Sequence, residues 1–289
     1  MDLSRYWIAD RMQTAECLKH VRHIALDLDG TIYQGSTVFP QAIPFLAALS
    51  ELGIGYSFMT NNSSRSTQHH IRQLHEFGIS ANSTSLFTST AATVDYLHQS
   101  MPDVGRLFVL GTDEMQAEIS EHDFTLTNDD PCDEPDAVVV GFDTQLAYNR
   151  LCRAAYWITQ GKPFIATHPD RICPTDEPTL LVDCGSICAA LERATGRQPK
   201  VVPGKPDRRM LDGLMRRHRL HHSQVAMVGD RLYTDMAMAR AANVTGILVL
   251  TGDTTANQAA THDEQPDLVV EDLGVLENLL RQCPGAGQG

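Results

Sequence analysis

The sequence predicts an α/β protein in which a parallel sheet carries helices on both faces. Short apolar runs of strand length alternate with segments of helical periodicity along nearly the whole chain. Strands that alternate with helices in this way favour parallel pairing, because each helix returns the chain to the same end of the sheet. The length of 289 residues is enough for one large domain or two ordinary ones.

The first strand and helix follow directly from their residue patterns. HIALDL predicts a buried strand, because it is short and rich in Leu and Ile. QAIPFLAALSELG has helical periodicity and stops at Gly53, a residue type that commonly follows helix C-termini. The next segments are IGYSFMTNN as a strand, STQHHIRQLHEFG and TAATVDYLHQS as helices, GRLFVLG as a strand and EMQAEISEHD as a helix.

The alternation continues through the rest of the chain. A second set begins at the strand PDAVVVGFD and continues with YNRLCRAAYWITQG as a helix, PFIATH as a strand and SICAALERATG as a helix. The last set contains RRMLDGLMRRH as a helix, QVAMVGD as a strand, TDMAMARAAN as a helix, GILVLTG as a strand and then PDLVVEDLGVLENLLR. These segments predict a sheet whose strand ends lie side by side.

Composition restricts the partners of this protein. The net charge of −13 argues against a large nucleic-acid-binding surface, which is normally basic. The seven cysteines form no CxxC pair, which predicts reduced thiols and a cytoplasmic location. No apolar run approaches the ~20 residues needed to cross a bilayer, and the N-terminal stretch lacks the apolar core of a signal peptide. We therefore expect neither nucleic acid nor membrane as a partner.

Four polar clusters follow apolar runs, which is where functional groups gather in open parallel sheets. The clusters are Asp27 with Asp29, Thr60 with Asn61, Lys205, and Asp230 with Asp235. They are spread over more than two thirds of the chain, yet parallel topology would place their strand ends next to one another. Any one of them alone is commonly a turn, a helix cap or a surface residue, so their joint occurrence carries the argument.

The acidic residues among these clusters predict a metal site. Asp27 and Asp29 flank Leu28, so in a strand both side chains would point to one side. With Asp230, three carboxylates would converge, and their repulsion is costly unless a cation lies between them. Oxygen ligands of this kind favour a hard divalent ion, most simply Mg²⁺ with several waters and a phosphate oxygen.

Three further residues supply the donors that a phosphate group requires. They are the Thr60 hydroxyl, the Asn61 backbone N–H and the Lys205 ammonium. The acidic net charge does not exclude an anionic substrate, because a few local cations or a bound metal override the global field. The sequence therefore predicts a site for a small phosphorylated metabolite.

The motifs DLDGT, TNN, GKPD and GDRLYTD, in this order, resemble those of the haloacid dehalogenase-like (HAD) hydrolases, from about His23 to Leu280. The stretches MTNNSSRS, ATHPD, LERATGRQP, VPGKPD and ILVLTGDT narrow the resemblance to the NagD, 4-nitrophenylphosphatase and pyridoxal-phosphate phosphatase branch. The resemblance implies a Rossmann-like three-layer core with a parallel sheet plus an inserted α/β cap domain. We expect the core at 1–100 and 201–289 and the cap at 101–200.

The resemblance also implies a role for each acidic residue. Asp27 would be the nucleophile that forms an aspartyl-phosphate, and Asp29 would protonate the leaving group and then activate water. Mg²⁺ would be held by Asp27, the Asp29 carbonyl oxygen and Asp230. Asp235 would lie just outside these ligands and orient water or Lys205.

The remaining implied roles concern the substrate. Thr60, Asn61 and Lys205 would bind the phosphoryl group, with Thr60 and Lys205 counted as catalytic. The loop THPDRICPTDEPTLL, with His168, Asp170 and Arg171, would recognise the rest of the substrate. His168 stands where the branch commonly has Asn, and LLVDCGS replaces a glycine-rich stretch, so no relative's substrate transfers directly. Caps of this branch often carry a dimer contact, which makes a homodimer through the cap an expectation.

The predicted function is a Mg²⁺-dependent phosphatase that hydrolyses small phosphorylated metabolites, such as nucleoside monophosphates or sugar phosphates, and also p-nitrophenyl phosphate. One alternative is a phosphotransferase or phosphomutase that uses the same aspartyl-phosphate step. Another is a non-enzymatic, receiver-like phospho-acceptor, which also places an aspartate beside Mg²⁺. Receiver domains lack both an aspartate two positions after the acceptor and an inserted cap.

Overall fold

The computed structural model describes residues 17–175 and 178–283, and backbone contacts divide them into two compact units. The first unit holds residues 17–59, 77–80 and 208–283, and the second holds 60–76, 81–175 and 178–207. The strands are β1 (His23–Asp27), β2 (Tyr33–Gln34), β3 (Thr37–Val38), β4 (Gly55–Thr60), β5 (Leu86–Thr88), β6 (Arg106–Leu110), β7 (Thr125–Leu126), β8 (Ala137–Val140), β9 (Phe164–Ala166), β10 (Ile172–Pro174), β11 (Leu180–Val182), β12 (Val225–Gly229), β13 (Thr245–Val249) and β14 (Leu268–Val270).

The helices match most of the predicted helical segments. They are α1 (Ala42–Glu51), α2 (Thr67–Glu76), α3 (Ser89–Ser100), α4 (Asp113–Ser120), α5 (Tyr148–Thr159), α6 (Cys184–Thr195), α7 (Arg209–His218), α8 (Ala237–Ala242), α9 (Ala256–Thr261) and α10 (Leu273–Gln282). The helix α1 ends before Gly53, as the sequence predicts, and Gly53 itself adopts the left-handed conformation (φ +70°). Within the described residues, no helix is both long enough and apolar enough to span a membrane.

The first unit is built on parallel strands in the order β14-β13-β12-β1-β4. The central strand β1 is buried along its whole length, as its run of apolar residues predicts. Its register places Leu26 opposite Val228 of β12 and Asp27 opposite Met59 of β4. The carboxyl ends of β1 and β12 therefore lie beside each other at one edge of the sheet.

The second unit contains a parallel sheet in the order β7-β6-β8-β9. Alternate residues of β6 enter two different apolar cores: Phe108 packs in one with Trp157 and Leu191, and Leu107 packs in the other with Val94 and Ile119. Because neighbouring side chains of a strand point to opposite faces, this sheet has helices on both sides. The helices α5 and α6 cover one face, and α3 and α4 cover the other.

Two short hairpins differ from the expected elements. The polar loop expected in THPDRICPTDEPTLL contains the antiparallel pair β10–β11, because Ile172 and Cys173 find partners in Val182 and Leu181. Residues 176 and 177 lie outside the described residues. The second hairpin, β2–β3, directly follows the DLDGT motif. Both consist of strands of two or three residues, too short to show a recognisable alternation in the sequence.

Candidate active site

Asp27 and Asp230 leave neighbouring strands at the same edge of the first unit's sheet. Asp27 is the last residue of β1, and Asp230 directly follows β12. Both are buried, with 5% and 2% of their surface exposed. The strand order therefore accounts for the approach of two residues that lie about two hundred positions apart in the sequence.

A third carboxylate completes this cluster. Oxygen atoms of Asp27, Asp230 and Asp235 all lie within 4.8 Å of one another, and all three residues are buried. Asp235 reaches this position because Leu232–Met236 forms a π-helical turn before α8. Its Oδ2 also accepts a hydrogen bond from the backbone N–H of Arg231 at 3.1 Å. We call Asp27, Asp230 and Asp235 the carboxylate cluster.

Asp29 occupies a different kind of position. The strand β1 ends at Asp27, and the backbone N–H groups of Ile32 and Tyr33 both donate to the carbonyl of Leu28, at 2.9 and 3.2 Å. This turn carries Asp29 away from the strand geometry, and its side chain is half-buried. The expectation that Asp27 and Asp29 point to one side rested on strand alternation, which does not extend past Asp27. The structure groups the carboxylate of Asp235, rather than that of Asp29, with Asp27 and Asp230.

Two glycines and a loop close around Asp230. A Cβ atom at Gly30, whose φ is +85°, or at Gly252 would overlap the Asp230 Oδ2 atom, so neither position accepts a side chain without a shift. The backbone N–H of Asp253 donates to Asp230 Oδ2 at 2.6 Å, and that of Thr254 donates to its carbonyl at 3.2 Å. The sequence did not reveal that Gly30 and Gly252 lie against Asp230, although the two glycines belong to the stretches DLDGT and ILVLTGDT.

The carboxylate cluster fits a divalent cation. Asp230 Oδ1 is buried and has no hydrogen-bond partner among the described residues. Burial and the neighbouring charges of Asp27 and Asp235 raise the pKa of Asp230 well above its usual range. A buried group in this state holds a proton unless a cation is present to favour the carboxylate. An all-oxygen donor set with an unused carboxylate oxygen therefore suits a hard ion such as Mg²⁺.

In the second unit, Asn61 and Lys205 are joined through the backbone. The Asn61 side-chain amide donates to the Lys205 carbonyl at 3.0 Å, and its oxygen accepts from the Lys205 N–H at 2.9 Å. The carbonyl of Asn61 accepts a hydrogen bond from Ser89 Oγ at 2.7 Å. Thr60, the last residue of β4, accepts from the Asn62 N–H at 3.0 Å. Thr60, Asn61 and Lys205 are all buried, which restricts the positions that their side chains can take.

Asp170 and His168 lie on the turn that follows β9. Both oxygens of Asp170 are 3.4 Å from the Asn61 side-chain nitrogen. Both ring nitrogens of His168 are engaged, Nδ1 with Thr167 Oγ1 at 2.8 Å and Nε2 with Asp183 Oδ1 at 2.9 Å. The predicted loop therefore contains a buried network, and His168 does not present a ring edge to solvent.

The His168–Asp183 contact is a buried ion pair. The His168 side chain is fully buried and that of Asp183 is 4% exposed. Burial alone would lower the pKa of His168, but the charges of Asp183, Cys184 and Asp170 raise it to about 9. The raised pKa of His168 favours its imidazolium form at neutral pH. Sequence reasoning did not identify Asp183, although the unusual LLVDCGS stretch pointed to its position.

Comparison with known proteins gives matches along most of the chain. The haloacid dehalogenase-like hydrolase family model matches residues 24–125, and the HAD-hydrolase-like model matches residues 202–276. The 5'-nucleotidase YutF of Bacillus subtilis is 32% identical over 256 residues, which is 89% of this chain and 97% of that protein.

Two solved structures extend this likeness to the fold. A 4-nitrophenylphosphatase from Thermotoga maritima is 35% identical, with a TM-score of 0.84 and coverage of 91% of this chain and 98% of that one. A glycerol phosphate phosphatase from Mycobacterium tuberculosis in complex with magnesium is 30% identical, with a TM-score of 0.81 and coverage of 90% and 78%.

These relatives are phosphatases, which is consistent with a phosphoric monoester hydrolase. The chain belongs to the haloacid dehalogenase-like hydrolases and is of the NagD and 4-nitrophenylphosphatase type. The resemblance carried by the motifs DLDGT, TNN, GKPD and GDRLYTD is thereby confirmed.

Proposed function

We propose that this chain is a Mg²⁺-dependent phosphatase that hydrolyses small phosphomonoesters through an aspartyl-phosphate on Asp27. The observation that carries the proposal is the buried carboxylate cluster, in which Asp230 Oδ1 has no hydrogen-bond partner among the described residues. Such a cluster is electrostatically costly without a cation and gains its stability from one. The similarity of this chain to known phosphatases supports the same proposal.

Asp27 is the proposed nucleophile. Its carboxylate oxygen bonds to the phosphorus while the bond from phosphorus to the ester oxygen breaks, and Asp29 gives its proton to the departing oxygen. Asp29 then takes a proton from water, whose oxygen attacks the phosphorus and releases phosphate and the Asp27 carboxylate. The positions suit this division, because Asp27 is buried and Asp29 is half-buried, closer to solvent.

The proposed Mg²⁺ ligands are Asp27, the Asp29 carbonyl oxygen and Asp230. A bound Mg²⁺ would neutralise charge on the phosphoryl group so that a carboxylate can approach it. Asp235 would hold its neighbours in place, since its carboxylate is anchored to the Arg231 N–H and lies against the ligand oxygens.

Thr60, Asn61 and Lys205 are proposed to bind the phosphoryl oxygens. The Asn61 side chain is occupied with both main-chain groups of Lys205, so its proposed contribution to phosphate binding is the backbone N–H. The Thr60 hydroxyl accepts one bond and, like any hydroxyl, can also donate one. Lys205 supplies the positive charge that a dianion requires.

We propose that recognition of the leaving group belongs to the loop that contains His168 and Asp170, within a cap at 101–200 and with the core at 1–100 and 201–289. The substrate class is a small phosphorylated metabolite, such as a nucleoside monophosphate or sugar phosphate. The names of the relatives, a 5'-nucleotidase, acid sugar phosphatases and a glycerol phosphate phosphatase, support this range.

Two further proposals concern location and assembly. A cytoplasmic location is supported by the seven cysteines, all of which are free thiols. The homodimer through the cap remains an expectation of the family resemblance, and sedimentation or light scattering would test it.

The test is phosphate release from a panel of phosphorylated metabolites and p-nitrophenyl phosphate, with Mg²⁺ and with EDTA. Asp27→Asn keeps the size of the side chain and removes its nucleophilic charge, so it should abolish turnover in a folded protein. Asp263→Asn, the same substitution at an exposed position, is the matched control. Residual activity of Asp27→Asn above a few per cent would contradict the nucleophile assignment. Release of p-nitrophenol only in the presence of an acceptor alcohol, with the phosphoryl group found on the alcohol and not as inorganic phosphate, would indicate a phosphotransferase.

A further inference from the structure

We propose that Asp183 is a positioning residue for phosphate binding, which acts through His168 to hold the turn on which Asn61 and Lys205 rest. This inference rests on the proposed function, because it takes Asn61 and Lys205 as phosphate-binding groups. Asp183 itself is not proposed to contact the substrate. The contacts that carry the inference all lie within the second unit.

Asp183 connects the turn after β9 to the start of α6. Asp183 Oδ1 contacts His168 Nε2 at 2.9 Å and also accepts from the Cys184 N–H at 2.6 Å, so it joins the turn to the start of α6. The Gly185 N–H donates to the Asp170 carbonyl at 2.7 Å. A Cβ atom at Gly185 would overlap the Pro169 carbonyl, so helix and turn approach as closely as a glycine allows.

The same turn contacts the residues proposed to bind phosphate. The Thr167 carbonyl accepts from the Gly204 N–H at 2.8 Å, directly before Lys205, and a Cβ atom at Gly204 would overlap this carbonyl. At the other end of the turn, the Asp170 carboxylate lies 3.4 Å from the Asn61 amide nitrogen. A shift of the turn therefore moves the supports of Lys205 and of Asn61 together.

A chain of hydrogen bonds leads from His168 to the loop after β4. His168 Nδ1 contacts Thr167 Oγ1 at 2.8 Å, which in turn lies 3.2 Å from Ser63 Oγ. Ser63 Oγ also accepts from the Phe142 N–H at 2.9 Å. Buried hydrogen-bond chains of this kind fix the geometry of their members, because each unmade bond would leave a buried polar group without a partner.

Three variants and a control test the proposal. Asp183→Ser keeps a helix-capping side chain but is too short to reach His168, Asp183→Asn keeps the acceptor oxygen, and His168→Asn removes the ring. Asp272→Ser is the matched control, because Asp272 also caps a helix, α10, through a bond to the Val275 N–H at 2.9 Å. The readout is the affinity for inorganic phosphate, measured by calorimetry with saturating Mg²⁺.

We expect Asp183→Ser and His168→Asn to weaken phosphate binding by about tenfold to about 100-fold, which corresponds to the loss of one hydrogen bond to a charged group. Asp183→Asn should lose less than Asp183→Ser, and Asp272→Ser should bind as the wild type does. With p-nitrophenyl phosphate, KM should rise while the Mg²⁺ concentration for half-maximal activity stays unchanged. Chemical unfolding of each variant shows whether it is folded at the temperature of the assay.

Each result decides the matter. Unchanged phosphate affinity in the folded Asp183→Ser or His168→Asn protein overturns the proposal, and so does an equal shift in the Mg²⁺ requirement. A wild-type protein that binds no phosphate overturns it as well. A wild-type protein that binds phosphate but hydrolyses no ester contradicts the proposed function, while the affinities of the variants still test the role of Asp183.

Discussion

Asp230 illustrates how much of the candidate site depends on a single side chain. One of its oxygens accepts a backbone hydrogen bond from Asp253, while the other is buried without a partner among the described residues. Asp27 and Asp235 surround it with like charge. The residue is therefore destabilising in the absence of a cation and becomes favourable when a cation is bound.

Asp230→Asn should raise the Mg²⁺ concentration for half-maximal activity by at least about 10-fold, because the loss of a mere partner of a metal ligand already costs about 10-fold to 100-fold in metal affinity. The amide has the shape of the carboxyl group but no charge, so the same substitution should leave or increase the melting temperature in EDTA. Magnesium titration of activity and thermal unfolding in EDTA measure the two effects. An unchanged Mg²⁺ requirement would remove Asp230 from the metal ligands.

Gly252→Ala tests the close approach of the loop to Asp230. The added Cβ overlaps Asp230 Oδ2 and lies 2.8 Å from the Gly30 Cα, so the loop has to move. We expect a higher Mg²⁺ requirement and a loss of about 1–3 kcal/mol in the free energy of unfolding. Gly105→Ala is the control, because a Cβ there meets nothing within 4 Å. An equal Mg²⁺ requirement and an equal free energy of unfolding in the two variants would contradict the close approach of Gly252 to Asp230.

Helices and strands can be predicted from the sequence where burial determines the pattern of apolar residues. β1 and β12 are buried runs of the kind that a parallel sheet requires, whereas their neighbouring places in the sheet do not follow from the strand–helix alternation. The turn Leu232–Met236 is different, since its π-helical geometry leaves no distinct spacing of apolar residues. The sequence therefore predicts that Asp235 lies near the metal but not that its carboxylate joins the cluster.

The contacts between elements set a second limit. The proposed role of Asp183 depends on its contact with His168. A turn and a hairpin separate the two residues along the chain, and the sequence does not determine the geometry of either. Three of the four predicted clusters lie at the ends of β1, β4 and β12, where parallel topology places them. Lys205 differs from the prediction, because it follows an isolated bridge between Val201 and Ile165 and not a strand. Which hydrogen bonds join Asn61 to Lys205 depends on local backbone geometry, which side-chain patterns do not report.

For the molecule as a whole, two buried histidines predict loss of stability in mild acid. Burial, with the charge of His218, lowers the pKa of His23 to about 4, and burial is the largest cause that lowers the pKa of His70 to about 4. The Nδ1 atom of His70 has no partner among the described residues, so a proton there would be unsatisfied. One histidine lies in each unit.

The direction of the change in stability with pH follows from the protonation of these histidines in the unfolded and the folded chain. In the unfolded chain these histidines take up protons near pH 6.5, whereas the folded chain resists until about pH 4. Their contribution to the free energy of unfolding is complete above pH 6.5. It is lost as the pH falls towards 4, by up to about 3 kcal/mol for each histidine. Urea unfolding at pH 7.5 and pH 4.5 measures it. His23→Gln and His70→Gln should each reduce the acid loss, and the exposed His122→Gln should not.

If Asp27 carries the phosphoryl group during turnover, a variant that releases the group slowly should accumulate it on this residue. Asp29→Asn should slow the release step, because the side chain proposed to activate water is gone. The measurement is mass spectrometry of this variant, quenched in acid during turnover of p-nitrophenyl phosphate with Mg²⁺, with peptide mapping. We expect one added phosphoryl group on the peptide that contains Asp27, and none when Asp27→Asn is added. Turnover without any phosphorylated peptide, or a phosphoryl group on another residue, would contradict the account.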